Sequence, residues 1–368
     1  MPRELSALQR LAARNLVRRC LNVRRGENVV VETWPHTLSM ASAVVDEVRR
    51  AGGVPLMFLE DETAYWSAVD RKQTRLLGTM GAPERAALKE ADVYVMFWGP
   101  GDSARFNQLD LKTSDEVTAW NDPWYAIVRK TGLRGVRMGL GFATESNARA
   151  WGTTLDRLTR RILEASSADP RSMVRDGARL QRSLRGRPRV RIRHPNGTDL
   201  EAALAGVPSK LHTGIPGRHS AVDPYGMLSG NPEGRLPVAL DGRTADGTIV
   251  ANLPTWTPWC SNSGGRLEFH EGRLTEFSFE KGDGSFRERY AQGTAGKDRA
   301  GALTFGLNPL LKDVPSLHVS ERGVVSLQVG RNTGFGATNG SSFMDWVSVA
   351  GAEVSVDGTP LLRRGRIL

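Results

Sequence analysis

Over the first half of the chain the apolar residues fall into two alternating patterns. Four short runs, Asn28-Val-Val-Val-Glu32, Val54-Pro-Leu-Met-Phe-Leu59, Asp92-Val-Tyr-Val-Met-Phe-Trp98 and Arg134-Gly-Val-Arg-Met-Gly-Leu140, have the length and apolar content of strands. Around them apolar residues recur at helical spacing. The first stripe, Leu5, Leu8, Leu11, Ala12, Leu16 and Val17, predicts a helix over 3–25, and further helices are predicted over 38–51, 83–90 and 147–166. Gly26 ends the first and the pair Gly52-Gly53 the second, because glycine takes the left-handed turn that closes a helix. Strand, helix, strand in this order is a βαβ pattern, which implies a parallel sheet with right-handed crossovers.

The texture changes near residues 180 to 190. From Val190 onward apolar and polar residues alternate in short runs separated by turn signals: His194-Pro-Asn-Gly197, Asp246-Gly247, Glu271-Gly272 and Asp357-Gly358. Strands are predicted over 189–193, 238–240, 248–252, 266–270, 274–280 and 324–329. The fold class is therefore α/β, with an N-terminal parallel-sheet, Rossmann-like domain over 1–180 and a β-rich α+β domain over 181–368. At 368 residues the chain is long enough for two such domains.

Charge changes this picture little. The formal net charge of +10 raises the question of nucleic acid. The arginines concentrate in 171–193, however, and no basic stripe alternates with aromatic residues. That run reads as a solvated interdomain connection, and no nucleic-acid partner is expected; a carboxylate-bearing small substrate would also profit from a positive field. No run approaches the length of a membrane span, so no membrane partner is expected either. The charges spaced through the first residues are unlike an export signal. Two distant cysteines, Cys20 and Cys260, fit a reducing cytoplasm.

In open α/β sheets ligands sit beyond the carboxyl ends of the strands. The loops there are 32–36, 60–66 and 98–102, and none carries a Gly-x-Gly-x-x-Gly after the first strand, so a dinucleotide cofactor has no support. The acidic stretch Glu60, Asp61, Glu62 reads as the start of a helix, where carboxylates favour the dipole, ahead of a substrate contact.

Near the end stand Gly323-Val-Val-Ser-Leu-Gln-Val-Gly330 and Gly336-Ala-Thr-Asn-Gly-Ser-Ser-Phe-Met-Asp-Trp346, with Phe305-Gly-Leu-Asn-Pro309 before them and Val356-Asp-Gly358 after. This frame resembles the M29 aminopeptidase family, whose relatives include a non-haem iron dioxygenase that opens dihydroxypyridine rings. The resemblance implies a metal centre in that frame, held by two histidines, an aspartate and two glutamates. In this chain the histidine positions fall on Ser326 and Met344, the aspartate on Trp346, and the glutamates on Ala302 and Arg235. None of these would hold zinc or iron. The resemblance therefore implies the fold, and a homodimer, while the residues argue against the family's metal chemistry; no cofactor is expected.

Four constellations remain as candidate chemistry. The first is the former metal pocket, either packed shut or re-lined for another ligand, with Ser326 as a candidate catalytic residue, Arg235 forking onto a carboxylate and Met344 and Trp346 as walls. Asp345 alternates to the opposite face of its strand and is the poorer candidate. The second is 211–225, where His219 is a candidate general base oriented by Asp223, with Tyr225 beside them; His212, His219 and Asp223 are alternatively a relocated metal set. The third is Trp256-Thr-Pro-Trp-Cys260, whose Trp256 and Trp259 suit ligand walls and whose Cys260 reads as a small hydrophobe ahead of a nucleophile. The fourth is Arg331-Asn-Thr-Gly-Phe-Gly336, a loop whose amides could bind an anion or merely connect strands. Together they predict a metal-independent enzyme hydrolysing or rearranging an amide, lactam or nitrogen heterocycle, with a small molecule or short peptide as substrate. The alternatives are a non-catalytic binding protein and a metalloenzyme with a relocated site.

Overall fold

A computed structural model of the chain describes residues 5–216, 228–257 and 260–368. The chain forms two compact units, one of Met1–Pro170 with Gly214–Glu233, the other of Arg171–Thr213 with Gly234–Leu368. A single break at 180 to 190 does not express this return of 214–233 to the first unit.

The first unit is built on five parallel strands in the order Val54–Leu59, Asn28–Thr33, Val93–Phe97, Arg134–Met138, Leu228–Asn231. Val30, Tyr94 and Met96 bury against Leu88 of the helix Ala82–Glu90 and Trp124, Ile127 and Val128 of the helix Asn121–Thr131. The alternate residues Val29, Val31, Val93 and Val95 are buried as well, so both faces of the sheet are covered, as a parallel sheet requires. The helix Ala7–Asn15 starts at Ser6, whose hydroxyl and Gln9 form a capping box, and continues only through one wider turn, Leu16–Cys20, rather than to residue 25. It packs beside the helices Leu38–Arg50 and Leu155–Ser166.

Two expectations are corrected here. The helix expected over 147–166 is two, Glu145–Ala150 and Leu155–Ser166. Gly152, at φ +63°, turns the chain between them, and the Thr154 hydroxyl starts the second by accepting from Arg157 N at 3.3 Å. The arginine-rich run is not a linker. It folds as the helix Pro170–Ser183 and the strand Arg189–His194, because Met173 and Leu180 make an apolar stripe and Val190 and Ile192 alternate inward. The arginines between them point outward, and Arg191 forms a forked pair with Asp199 at 2.7 Å.

The second unit holds an antiparallel sheet of eight strands, Arg273–Ser278, Arg266–His270, Asp246–Val250, Thr198–Ala203, Arg189–His194, Glu353–Val356, Thr359–Arg363 and Arg366–Ile367 in that spatial order. A second antiparallel sheet has the order Met344–Ala350, Val324–Gly330, Ala300–Gly306, Arg235–Ala239. Among the described residues no helix is long and apolar enough to cross a membrane.

Candidate functional site

The four-stranded sheet gathers the residues that the sequence pattern singled out. Residues directly opposite each other in an antiparallel ladder share a face, and so do residues two apart on one strand. Ser326 is level with Thr304 and Ser348, Gln328 with Ala302 and Trp346, Gly330 with Met344, Ala302 with Ala239, and Gly306 with Arg235. Hence Arg235, Ala302, Ser326, Met344 and Trp346 all lie on one face, together with Thr304, Gln328 and Ser348. The other face, Leu236, Val238, Leu303, Phe305, Val325, Leu327, Val329, Val347 and Val349, is buried and apolar. Asp345 belongs to that second face, where it is wholly buried and ion-paired with Arg289. It also accepts from Trp346 N at 2.7 Å, a role in holding the strand.

The polar face grades from a buried centre to a half-buried rim. Ser326 and Ser348 are buried and their hydroxyl oxygens lie 2.8 Å apart. The Ser326 hydroxyl thus meets another hydroxyl, which supplies no base for a nucleophile. The Gln328 amide donates to the carbonyl of Arg331. Arg235, Met344 and Trp346 are half-buried. Arg235 is fixed by backbone: its N donates to the His212 carbonyl at 2.8 Å and its carbonyl accepts from His212 N at 2.9 Å. Trp256 sits in the short strand Thr255–Thr257, reached from Leu253, which bridges to Ser348. His219, Asp223, Tyr225 and Trp259 lie outside the described residues, as does the Cys260 side chain.

The loop beginning at Arg331 is closed on itself. The amides of Arg331, Asn332, Phe335 and Gly336 donate to Phe343, Asn339, Asn332 and Thr333. The buried Asn332 side chain bonds the carbonyl of Gly301 at 3.2 Å and accepts from Asn339 N at 2.8 Å, while Asn339 Nδ2 donates to Gly330 O at 2.8 Å. Those four amides are committed to the loop, as a strand connection requires.

The donor set does not fit a zinc or iron ion. The five positions that the family frame assigns to ligands carry a guanidinium, a methyl, a hydroxyl, a thioether and an indole, where such an ion needs imidazole, thiolate or carboxylate. No group of three or more His, Cys, Asp or Glu able to hold a metal occurs among the described residues.

Perturbed groups cluster instead in the first unit. The Tyr94 hydroxyl donates to Glu32 Oε2, and burial pushes the Glu32 carboxyl up to about 7. Glu60 and Glu84 are raised by burial as well. Asp61 caps the helix Glu62–Asp70 by accepting from Ala64 N at 2.7 Å, which is the structural role the acidic stretch predicts. Burial likewise pushes the Cys20 thiol up to about 12, so it is inert at neutral pH.

The sequence profile of the thermophilic metalloprotease (M29) family matches residues 6–292. No curated protein matches the chain. Among solved structures, the fold is similar to 2,5-dihydroxypyridine dioxygenase from Pseudomonas putida KT2440, 15% identical over 99% of this chain and 98% of that one, with a TM-score of 0.63. It is also similar to wild-type AmpT from Thermus thermophilus, 17% identical over 98% of this chain and 99% of that one, with a TM-score of 0.69. At such identities the likeness is one of fold.

Proposed function

This chain belongs to the thermophilic metalloprotease (M29) family, and from that premise we propose that it is a member working without the family's metal: a cytoplasmic enzyme that hydrolyses or rearranges a small amide, lactam or nitrogen heterocycle. The observation that supports this reading is the lining of the four-stranded sheet, where one face brings Arg235, Ser326, Met344 and Trp346 together at positions of the family's metal ligands, none of them a group that holds zinc or iron. A guanidinium at 235 offers forked donors to a carboxylate or a developing oxyanion. An indole at 346 offers a flat surface for a ring. In this reading His219, oriented by Asp223, is the base, and Ser326 is a hydrogen-bonding group rather than the nucleophile.

Metal analysis of the purified protein, paired with turnover of an amide and lactam panel before and after chelation, tests the proposal. Turnover that survives chelation, with no stoichiometric metal, is expected. One transition metal per chain that a chelator removes along with activity overturns it and promotes the His212, His219, Asp223 set. A binding-only role is favoured by one observation, the mutual hydrogen bond of Ser326 and Ser348, which pairs the Ser326 hydroxyl with another hydroxyl and not with a base. Ligand binding without turnover, unchanged in His219→Ala, selects that second role.

A further inference from the structure

The strand Val54–Leu59 ends the parallel sheet, and its edge away from Asn28–Thr33 is unpaired among the described residues. Its sequence, Val-Pro-Leu-Met-Phe-Leu, holds no polar side chain. Phe58 packs against the core cluster of Val30, Tyr94 and Trp124, whereas Val54, Leu56, Met57 and Leu59 are 57%, 47%, 39% and 51% exposed. Elsewhere among the described residues the exposed large apolar side chains stand in helices and turns, never in a strand. An exposed apolar edge invites pairing with another strand, and chains blunt it with lysine, a bulge, proline or a covering element. In this strand Pro55 is the one residue of that kind.

Backbone direction defines what the open edge offers. Val54 N donates to Glu27 O at 2.8 Å and Glu60 N to Thr33 O at 2.9 Å, so the even-numbered residues between them face Asn28–Thr33. Pro55, Met57 and Leu59 therefore turn their backbone outward, and the amides on that edge are those of Met57 and Leu59, since proline has none. Two antiparallel copies of the strand satisfy both. With a two-fold axis at Met57, each Met57 amide donates to the second copy's Met57 carbonyl and each Leu59 amide to its Pro55 carbonyl. With the axis at Phe58, Met57 and Leu59 exchange both bonds, and Pro55 lies beyond them. Either register uses every outward amide and sets Met57 and Leu59 of the two copies side by side on one face.

The charges at the strand ends agree with this direction. Arg25 stands exposed beside Gly52 at the start, and Glu60 and Asp61 stand exposed at the end. Antiparallel pairing brings the acidic end of each copy to the basic end of the other. We propose that Val54–Leu59 pairs antiparallel with the same strand of a second copy, joining two parallel sheets across a two-fold axis. The contact belongs to the first unit, so it can fail without touching the chemistry proposed for the second.

Light scattering of the full-length protein at micromolar concentration, with hydrogen exchange read by mass spectrometry, tests it. The parent is expected as a dimer. Met57→Lys combined with Leu59→Lys sets lysines against each other in either register, and is expected to weaken the dimer about hundredfold or more and leave a monomer of native circular dichroism. Peptides covering 54–60 are expected to exchange at least about tenfold more slowly in the parent than in this variant, a readout that a dimer formed through another surface would not give. A monomeric parent, a folded lysine variant that stays dimeric, or equal exchange of those peptides in the two proteins overturns the proposal. Should the variant fail to fold, the parent decides alone: protected Met57 and Leu59 amides support the pairing, and freely exchanging ones overturn it.

Discussion

Replacing Glu32 by glutamine should stabilise the first unit at alkaline pH and leave it nearly unchanged in acid. Glu32 shares a sheet face with Val30, Tyr94 and Met96, and Arg137 is level with Met96 on the next strand. Burial is the main reason that its carboxyl is pushed up to about 7; the hydrogen bond from Tyr94 pulls it down, and the nearby Glu84 and Glu60 push it further up. The folded state therefore holds this proton more tightly than the unfolded chain, whose ordinary value is 4.5. The stability that follows is fully present below pH 4.5 and is lost as pH rises through about 7. At about 1.4 kcal/mol per pH unit the gap corresponds to about 3 kcal/mol, and partial exposure of the residue reduces this to roughly 2 kcal/mol.

Glu32→Gln removes the charge and still offers Tyr94 an acceptor oxygen. Above pH 8 the variant should melt about 4 to 8 °C higher than the parent, given about 2 to 4 °C per kcal/mol for a unit of this size. Near pH 4 the two should coincide. Thermal midpoints across that pH range read the difference, in which the other raised carboxyls, Glu60 and Glu84, largely cancel. A variant that melts lower than the parent at alkaline pH refutes the reasoning. It would mean that Arg137, whose Nε has no hydrogen-bond partner, holds the Glu32 carboxylate as a buried pair.

Arg235→Ala should weaken the binding of nicotinate, a flat carboxylate probe, by roughly 2 to 4 kcal/mol without moving the thermal midpoint, and Arg235→Lys should restore part of that; unchanged affinity in calorimetry takes Arg235 out of the site. Asp345→Ala strips the carboxylate from Arg289 and an acceptor from Trp346 N, and should cost about 3 to 5 kcal/mol in chemical unfolding. A loss below about 1 kcal/mol would show that Arg289 finds water instead. The homodimer implied by the resemblance is expected in light scattering at micromolar concentration, and a monomer there removes it.

The central strands were legible because a buried parallel strand writes itself as a continuous apolar run. Asn28–Thr33 and Val93–Phe97 follow their runs to within a residue. The break at Gly152 was less visible, since the capping of Arg157 by Thr154 is a local contact hidden inside a polar stretch. The arginine run is opaque for a different reason: charge density suggests a linker, whereas the alternation of Val190 and Ile192 with arginines is an interior strand with one face to solvent. Thr304, Gln328 and Ser348 are not legible in the sequence because their place on the polar face depends on cross-strand register, including an irregularity between Ala300 and Ala302 that no single strand reveals.

The neutral character of the sheet face at 302 and 326 has an energetic cause that bears on the ligand. A carboxylate at 302 would be wholly enclosed, level with Ala239 and Gln328, and without a cation beside it would carry a desolvation cost of several kcal/mol. A methyl at 302 avoids that cost, and the hydroxyl at 326 satisfies itself on Ser348 at 2.8 Å. Arg235 can keep its charge because it is only half-buried, at the start of the outermost strand, where a long side chain reaches water. A metal site with one ligand missing would leave the remaining acids uncompensated. This face carries none of them, and its single formal charge is positive, which is why an anionic or carbonyl-bearing ligand, rather than a cation, is the chemistry it suits.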